Sequence, residues 1–105
     1  MSFGKLYGFI GNPRTTVPYW VAKSLGLDIE VIETGNGKYS DEFVALFPHK
    51  KIPGFVGDDG LILYETIAIS VYFASQKKES GLLGTSKADL ALILNWMSFT
   101  NMETF

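Results

Sequence analysis

A proline interrupts an otherwise strand-like apolar run. Residues 51–56 read Lys-Ile-Pro-Gly-Phe-Val, and Pro53 has no N–H to give to a sheet ladder. It belongs on an edge or at a bend, and it pushes Ile52 into an extended conformation. A cis Ile52–Pro53 bond would cost only about 0.5–1 kcal/mol. It would turn the N–H and C=O of Ile52 outward, where an extended peptide can pair with them like an added strand. Further on, Glu65-Thr66 opens a helical run. The unpaired N–H groups at a helix mouth favour a ligand carboxylate, and the Thr66 hydroxyl can add a hydrogen bond. An open strand edge beside a helix mouth suits a small acidic peptide. The same residues also read as punctuation, with Pro53 ending a strand and Glu65 capping a helix.

The rest of the chain supplies a frame for that pair. Lys5 to Ile10 is a short β-rich run that stops at Gly11-Asn12-Pro13, a turn signal. A helix follows, capped by Thr15 or Thr16 with Pro18 in its first turn, and Gly26 ends it. Residues 28–33 read as a second strand. Ser40 caps a short helix with acids in its first turn, which stops at Pro48. Residues 52–56 and 61–64 are two strands joined by Gly57-Asp-Asp-Gly60, a hairpin turn. Residues 65–78 form a helix with Lys77 and Lys78 near its end. The order βαβαββα predicts an α/β domain of thioredoxin-like type. Its mixed four-stranded sheet has a parallel start and an antiparallel edge. It covers residues 1–80.

Residues 81–105 are a linker and one more helix. Ser86 and Asp89 resemble a capping box. From Ala88 to Phe105 two apolar stripes run side by side: Leu90, Ile93, Leu94 and Met97 form one, Leu92, Trp96 and Phe99 the other. Such a helix must be covered on most sides, and the domain before it can cover one. The surplus predicts a chain cut short at the first helix of an all-helical C-terminal domain. The alternative is a second copy of the chain lying on the outer stripe.

Composition narrows the function classes. At 105 residues there is room for one small domain, and 47% hydrophobic residues give it a core. With no cysteine, the chain has no disulfide, thiolate metal site or thiol chemistry of its own. His49 stands alone in a loop with no second ligand pattern, so no metal site is expected. The net charge is −2 and the basic residues are scattered, which argues against direct nucleic-acid binding. No apolar run is long enough to span a bilayer, and no secretory signal is visible, so a cytoplasmic protein is expected. Trp20, Phe43, Phe47, Phe55, Tyr72 and Phe73 read as core. Asp58-Asp59 reads as turn chemistry.

The segments KIPGF and LYETIAISVYF resemble the amino-terminal domain of the glutathione transferase superfamily. The likeness runs from Lys5 to about Lys78, and the final helix looks like the start of that family's helical second domain. Within the superfamily, LYG, RTTVPYWVAKSLGLDIEV, EFVALFPHKKIPGFVG and LLGTSKADLALILNWMSFTN look most like the transferase-like domain of translation elongation factor 1B gamma subunits, especially fungal ones. The resemblance implies that Pro53 is the superfamily's cis-proline. It implies that Ile52 pairs its backbone with the cysteinyl part of glutathione, that Glu65 and Thr66 hold the γ-glutamyl end, and that Lys51 helps hold the ligand. No cofactor is required; glutathione is the implied ligand or substrate.

The resemblance leaves the catalytic position open. Transferases stabilise the glutathione thiolate with a Tyr, Ser or Cys near the end of the first strand. Tyr7 falls about one residue from that position, and a slip of one residue points a side chain to the other face. Thr15 and Thr16 are further hydroxyl candidates, and Arg14 brings a positive charge. The plainer reading makes Arg14 a solvated loop charge and the threonines helix caps. Two functions follow. One is a scaffold that docks the guanine-nucleotide exchange subunit of elongation factor 1B, with a homodimer through the transferase-type interface as a further expected contact. The other is an active transferase that joins glutathione to electrophiles.

Overall fold

β1 (Gly4–Gly8) is the strand on which the layers are built. The structure, a computed structural model, describes residues 2–77 and 80–103. β1 pairs in parallel with β2 (Ile29–Glu33) and antiparallel with β3 (Gly54–Gly57), which pairs antiparallel with β4 (Ile62–Tyr64). The sheet order is β2-β1-β3-β4. Helices α1 (Pro13–Ser24), α2 (Asp41–Leu46), α3 (Thr66–Ala74) and α4 (Lys87–Glu103) complete the fold. This is the mixed four-stranded, thioredoxin-like architecture expected from the order of elements.

Alternation along β1 makes two cores. Leu6 faces one side, with Phe55 and with Ala22, Ile69 and Phe73 from α1 and α3. Tyr7 faces the other, with Phe43 and Phe47 from α2 and its end. Each fully buried side chain of this size is worth about 1.5–3 kcal/mol. The Phe55 and Phe73 rings meet edge to face at 4.9 Å, a geometry that adds about 0.5–1.5 kcal/mol. Trp20 does not join the core. It lies on the outer side of α1, 58% exposed.

The element ends show what the local signals meant. β1 stops at Gly8, because Phe9 and Ile10 leave the ladder for a turn closed by Asn12 N–H to the Phe9 carbonyl. α1 begins earlier than the threonines implied. Its cap is Asn12, whose side-chain oxygen accepts from the N–H groups of Arg14 and Thr15 at 3.0 and 3.2 Å. Pro13 takes the first helical position, which places Pro18 inside the helix rather than in its first turn. Gly26, at φ +70, follows the helix end as expected. Ser40 caps α2 by accepting from Phe43 N–H at 3.1 Å. α3 ends at Ala74, so Lys77 lies beyond it; Lys78, assigned to that helix, lies outside the described residues.

Ser86 accepts from Asp89 N–H at 3.1 Å, while the Asp89 carboxylate accepts from Thr85 N–H at 3.0 Å. The acid therefore reaches back to Thr85 as well as to Ser86. α4 runs to Glu103, and Phe105 lies outside the described residues. Leu90, Ile93, Leu94 and Met97 are half-buried, whereas Leu92, Trp96 and Phe99 are exposed. The two stripes are thus separate in space. Among the described residues, no helix is long and apolar enough to cross a membrane.

Candidate functional site

Three segments meet at one end of the sheet: the first turn of α1, the loop before β3, and the mouth of α3. They enclose a cleft of about 210 Å³ lined by Arg14, His49, Lys51, Ile52, Pro53, Glu65 and Thr66. All five residues expected to hold glutathione are therefore gathered in one place. Two larger hollows lie elsewhere. One, of about 530 Å³, sits between the end of α3 and the start of α4. The other, of about 480 Å³, lies beside Lys5, Tyr7 and Glu42 on the far side of the sheet. Neither shares a residue with the cleft, which draws charged groups from three chain segments to the mouth of α3.

The Ile52–Pro53 bond is cis. Pro53 is buried, Ile52 half-buried and Lys51 exposed. Ile52 precedes β3 and takes no part in the β1–β3 or β3–β4 registers, so its backbone lies outside the ladder. Across the cleft, Glu65 sits at φ +79, ψ 124. A non-glycine residue there carries about 1–3 kcal/mol of strain. Its side chain makes no capping hydrogen bond, and α3 has no acid in its first turn. The N–H groups at the mouth of α3 are left for an outside acceptor, where the helix dipole favours negative charge. Arg14 and Lys51 bring two cations to a cleft that Glu65 also lines, a setting that suits an anionic peptide.

The hydroxyl candidates do not open into this space. Tyr7 is 1% exposed and donates to the Glu42 carboxylate, on the face of the sheet covered by α2. Burial first, then the hydrogen bond and the charges of Glu42 and Glu30, push its pKa up to about 12. Thr15 is fully buried, its Oγ1 makes no hydrogen bond, and a Cβ on Gly8 would collide with it. Thr16 Oγ1 donates to the Ile10 carbonyl and lies 2.9 Å from the Asn12 carbonyl. The Thr66 hydroxyl donates to the Arg14 carbonyl at 2.8 Å.

Two further residues line the site: Arg14, offered as a positive charge, and His49, an exposed loop residue as expected but not named for the site. Arg14 lines the cleft from α1, and His49 lines it from the loop, its ring 4.7 Å from that of Tyr64. His49 is two residues from Lys51, the one signal that placed it near the site. Lys50 between them sits at φ +58.

The chain matches the family described as glutathione S-transferase, N-terminal domain, over residues 2–75. It is 41% identical to elongation factor 1-gamma of Schizosaccharomyces pombe over 98% of this chain and 25% of that protein. It is 42% identical to glutathione S-transferase AN1595 of Emericella nidulans over 97% of this chain and 39% of that one. Among solved structures, a glutathione S-transferase from Pichia kudriavzevii superposes with a TM-score of 0.82 at 39% identity, covering 96% of this chain and 50% of that chain. The transferase-like domain of elongation factor 1-gamma from Saccharomyces cerevisiae superposes with a TM-score of 0.73 at 37% identity, covering 96% and 48%. The chain thus spans between a quarter and a half of these four proteins.

Proposed function

Because the chain belongs to the glutathione S-transferase family, through its N-terminal domain, we propose that its cleft holds glutathione without activating it. We propose further that the domain serves an elongation factor 1 complex as the docking unit for the guanine-nucleotide exchange subunit. The observation that carries this is where the hydroxyls go. A thiol of ordinary pKa is only about 3% thiolate at pH 7. A conjugating enzyme raises that fraction with a donor aimed at the sulfur. Tyr7, Thr15 and Thr16 all keep their hydroxyls elsewhere. The gathering of Lys51, Ile52, Pro53, Glu65 and Thr66 in one cleft supports binding, and the placement of the three candidate hydroxyls supports binding without activation. The likeness to elongation factor 1-gamma proteins from two yeasts supports the docking role.

One observation favours the other reading, a working transferase. Arg14 lines the cleft, and a guanidinium next to an acid can lower its pKa by about 1–3 units. The two readings part in one experiment on the full-length protein. Glutathione binding is measured by calorimetry, conjugation with a generic electrophile is assayed, and the purified exchange subunit of elongation factor 1 is tested for complex formation. The docking reading expects glutathione to bind, turnover to stay at the uncatalysed rate and the exchange subunit to form a stable complex. Turnover that survives Thr15→Val but collapses in Arg14→Ala would overturn it in favour of a transferase that uses the arginine.

A further inference from the structure

We infer that Thr66 is a positioning residue for Arg14, and that Pro18 makes it one. In an α-helix the carbonyl of residue 14 accepts from the N–H of residue 18. Residue 18 of α1 is a proline inside the helix and has no N–H to give. The Arg14 carbonyl instead accepts from the Thr66 hydroxyl at 2.8 Å, across 52 residues of sequence. Thr66 is buried, so water is a poor substitute for either partner. The bond ties the first turn of α1 to the first residue of α3, and Arg14 and Thr66 line the same cleft. The backbone from which the Arg14 guanidinium reaches is thereby fixed against the helix mouth that receives the ligand carboxylate.

A consequence for recognition follows. A threonine hydroxyl has one proton and two lone pairs. Its proton goes to the Arg14 carbonyl, so it is not offered to a ligand carboxylate at the α3 mouth. That carboxylate is met by backbone N–H groups and by the cations around them. This consequence rests on the cleft being a glutathione site; the tie between the helices does not.

A double-mutant cycle on the full-length protein tests it. Pro18→Ala returns an N–H to the Arg14 carbonyl, and Thr66→Val removes the hydroxyl while keeping the branched shape. Thermal midpoint and glutathione dissociation constant are measured for wild type, both single variants and the double variant. Thr66→Val alone should lower the midpoint by about 4 °C or more and weaken glutathione roughly 10-fold. In the Pro18→Ala background the same change should cost clearly less on both measures than in the wild-type background, and Thr66→Ser should restore the midpoint. Equal losses in both backgrounds overturn the inference, because the hydroxyl would then serve the ligand directly or nothing at all. If Thr66→Val fails to fold alone, it should fold beside Pro18→Ala; failure in both overturns the inference. A wild type that binds no glutathione ends the ligand reading, and the midpoints of the cycle still decide the tie.

Discussion

At the scale of single residues, two side chains carry information that burial alone does not. Tyr7 is neutral in the fold and held so: its pKa rises from about 10 to about 12 through burial and the neighbouring carboxylates of Glu42 and Glu30. The unfolded chain releases this proton near pH 10 and the folded chain near pH 12, so the unfolded state binds fewer protons between those values. The stabilisation is whole below pH 10 and is lost as pH rises from 10 to 12. Denaturation followed across that window should show stability falling, and Tyr7→Phe should flatten the fall. Unchanged pH dependence in Tyr7→Phe would mean the hydroxyl is not held as described. Glutathione affinity should not move in that variant, since Tyr7 lies across the sheet from the cleft. Glu65 is the opposite case, a residue whose backbone works against stability. At φ +79 a glycine would relieve about 1–3 kcal/mol of strain and cost about 0.5–1 kcal/mol in chain entropy. Glu65→Gly should therefore gain roughly 1 kcal/mol on urea denaturation and bind glutathione at least 10-fold more weakly. A variant that loses both would show that the carboxylate has a structural task.

At the scale of elements, the helix starts decide how the site is presented. Asn12 holds the first turn of α1 through two N–H groups, one of them from Arg14 itself. Asn12→Ala should cost about 1 kcal/mol of stability. It should also weaken glutathione more than Ser40→Ala does, though both remove one cap, because α2 sends no residue into the cleft. Equal effects on binding would detach α1 from the site. The same cap explains what the sequence hid. Ser40 and Ser86 were readable as caps because each precedes a periodic run by the right number of residues. Asn12 before Pro13 has two meanings, turn and helix start, and local spacing does not choose between them. The choice is made by β1, which leaves the ladder at Gly8 so that the turn and the cap share residues 9–12. That Ile52, Pro53, Glu65 and Thr66 could share one cleft was legible because a proline in a strand-like run and an acid-hydroxyl pair at a helix mouth are local features; Lys51 came from the family resemblance alone. The direction of each hydroxyl was not legible. Thr66 donates to the Arg14 carbonyl, to which Pro18, in another helix, has no N–H to give. No window of the sequence contains both partners.

At the scale of the whole molecule, the apolar surface is divided unevenly between what the fold buries and what it displays. Ile93 and Met97 line a hollow of about 130 Å³ together with Val17, Val21 and Ser70 of α1 and α3, and Leu90 lines the hollow between the end of α3 and the start of α4. Leu92, Trp96 and Phe99 stay 59%, 63% and 57% exposed, with the Trp96 and Phe99 rings in contact at 6.0 Å. The two-stripe pattern was readable because a helical period separates the faces without any tertiary knowledge. Trp20 was misread as core because an aromatic side chain carries no sign of which face of α1 it takes. An exposed stripe of this kind adds little to the stability of the chain that displays it and much to its association. Trp96→Lys combined with Phe99→Ser should leave the denaturation midpoint of the 105-residue chain within the change typical of surface substitutions, about 0.5 kcal/mol. The unaltered chain should associate as its concentration rises in sedimentation velocity, and the same pair of changes should abolish that association. Leu90→Ser, on the inner stripe, should do the reverse, lowering the midpoint while association persists. If instead the outer pair unfolds the chain and the inner change does not, the stripes have been assigned to the wrong sides of α4, and the surface offered for contact is the one facing α1.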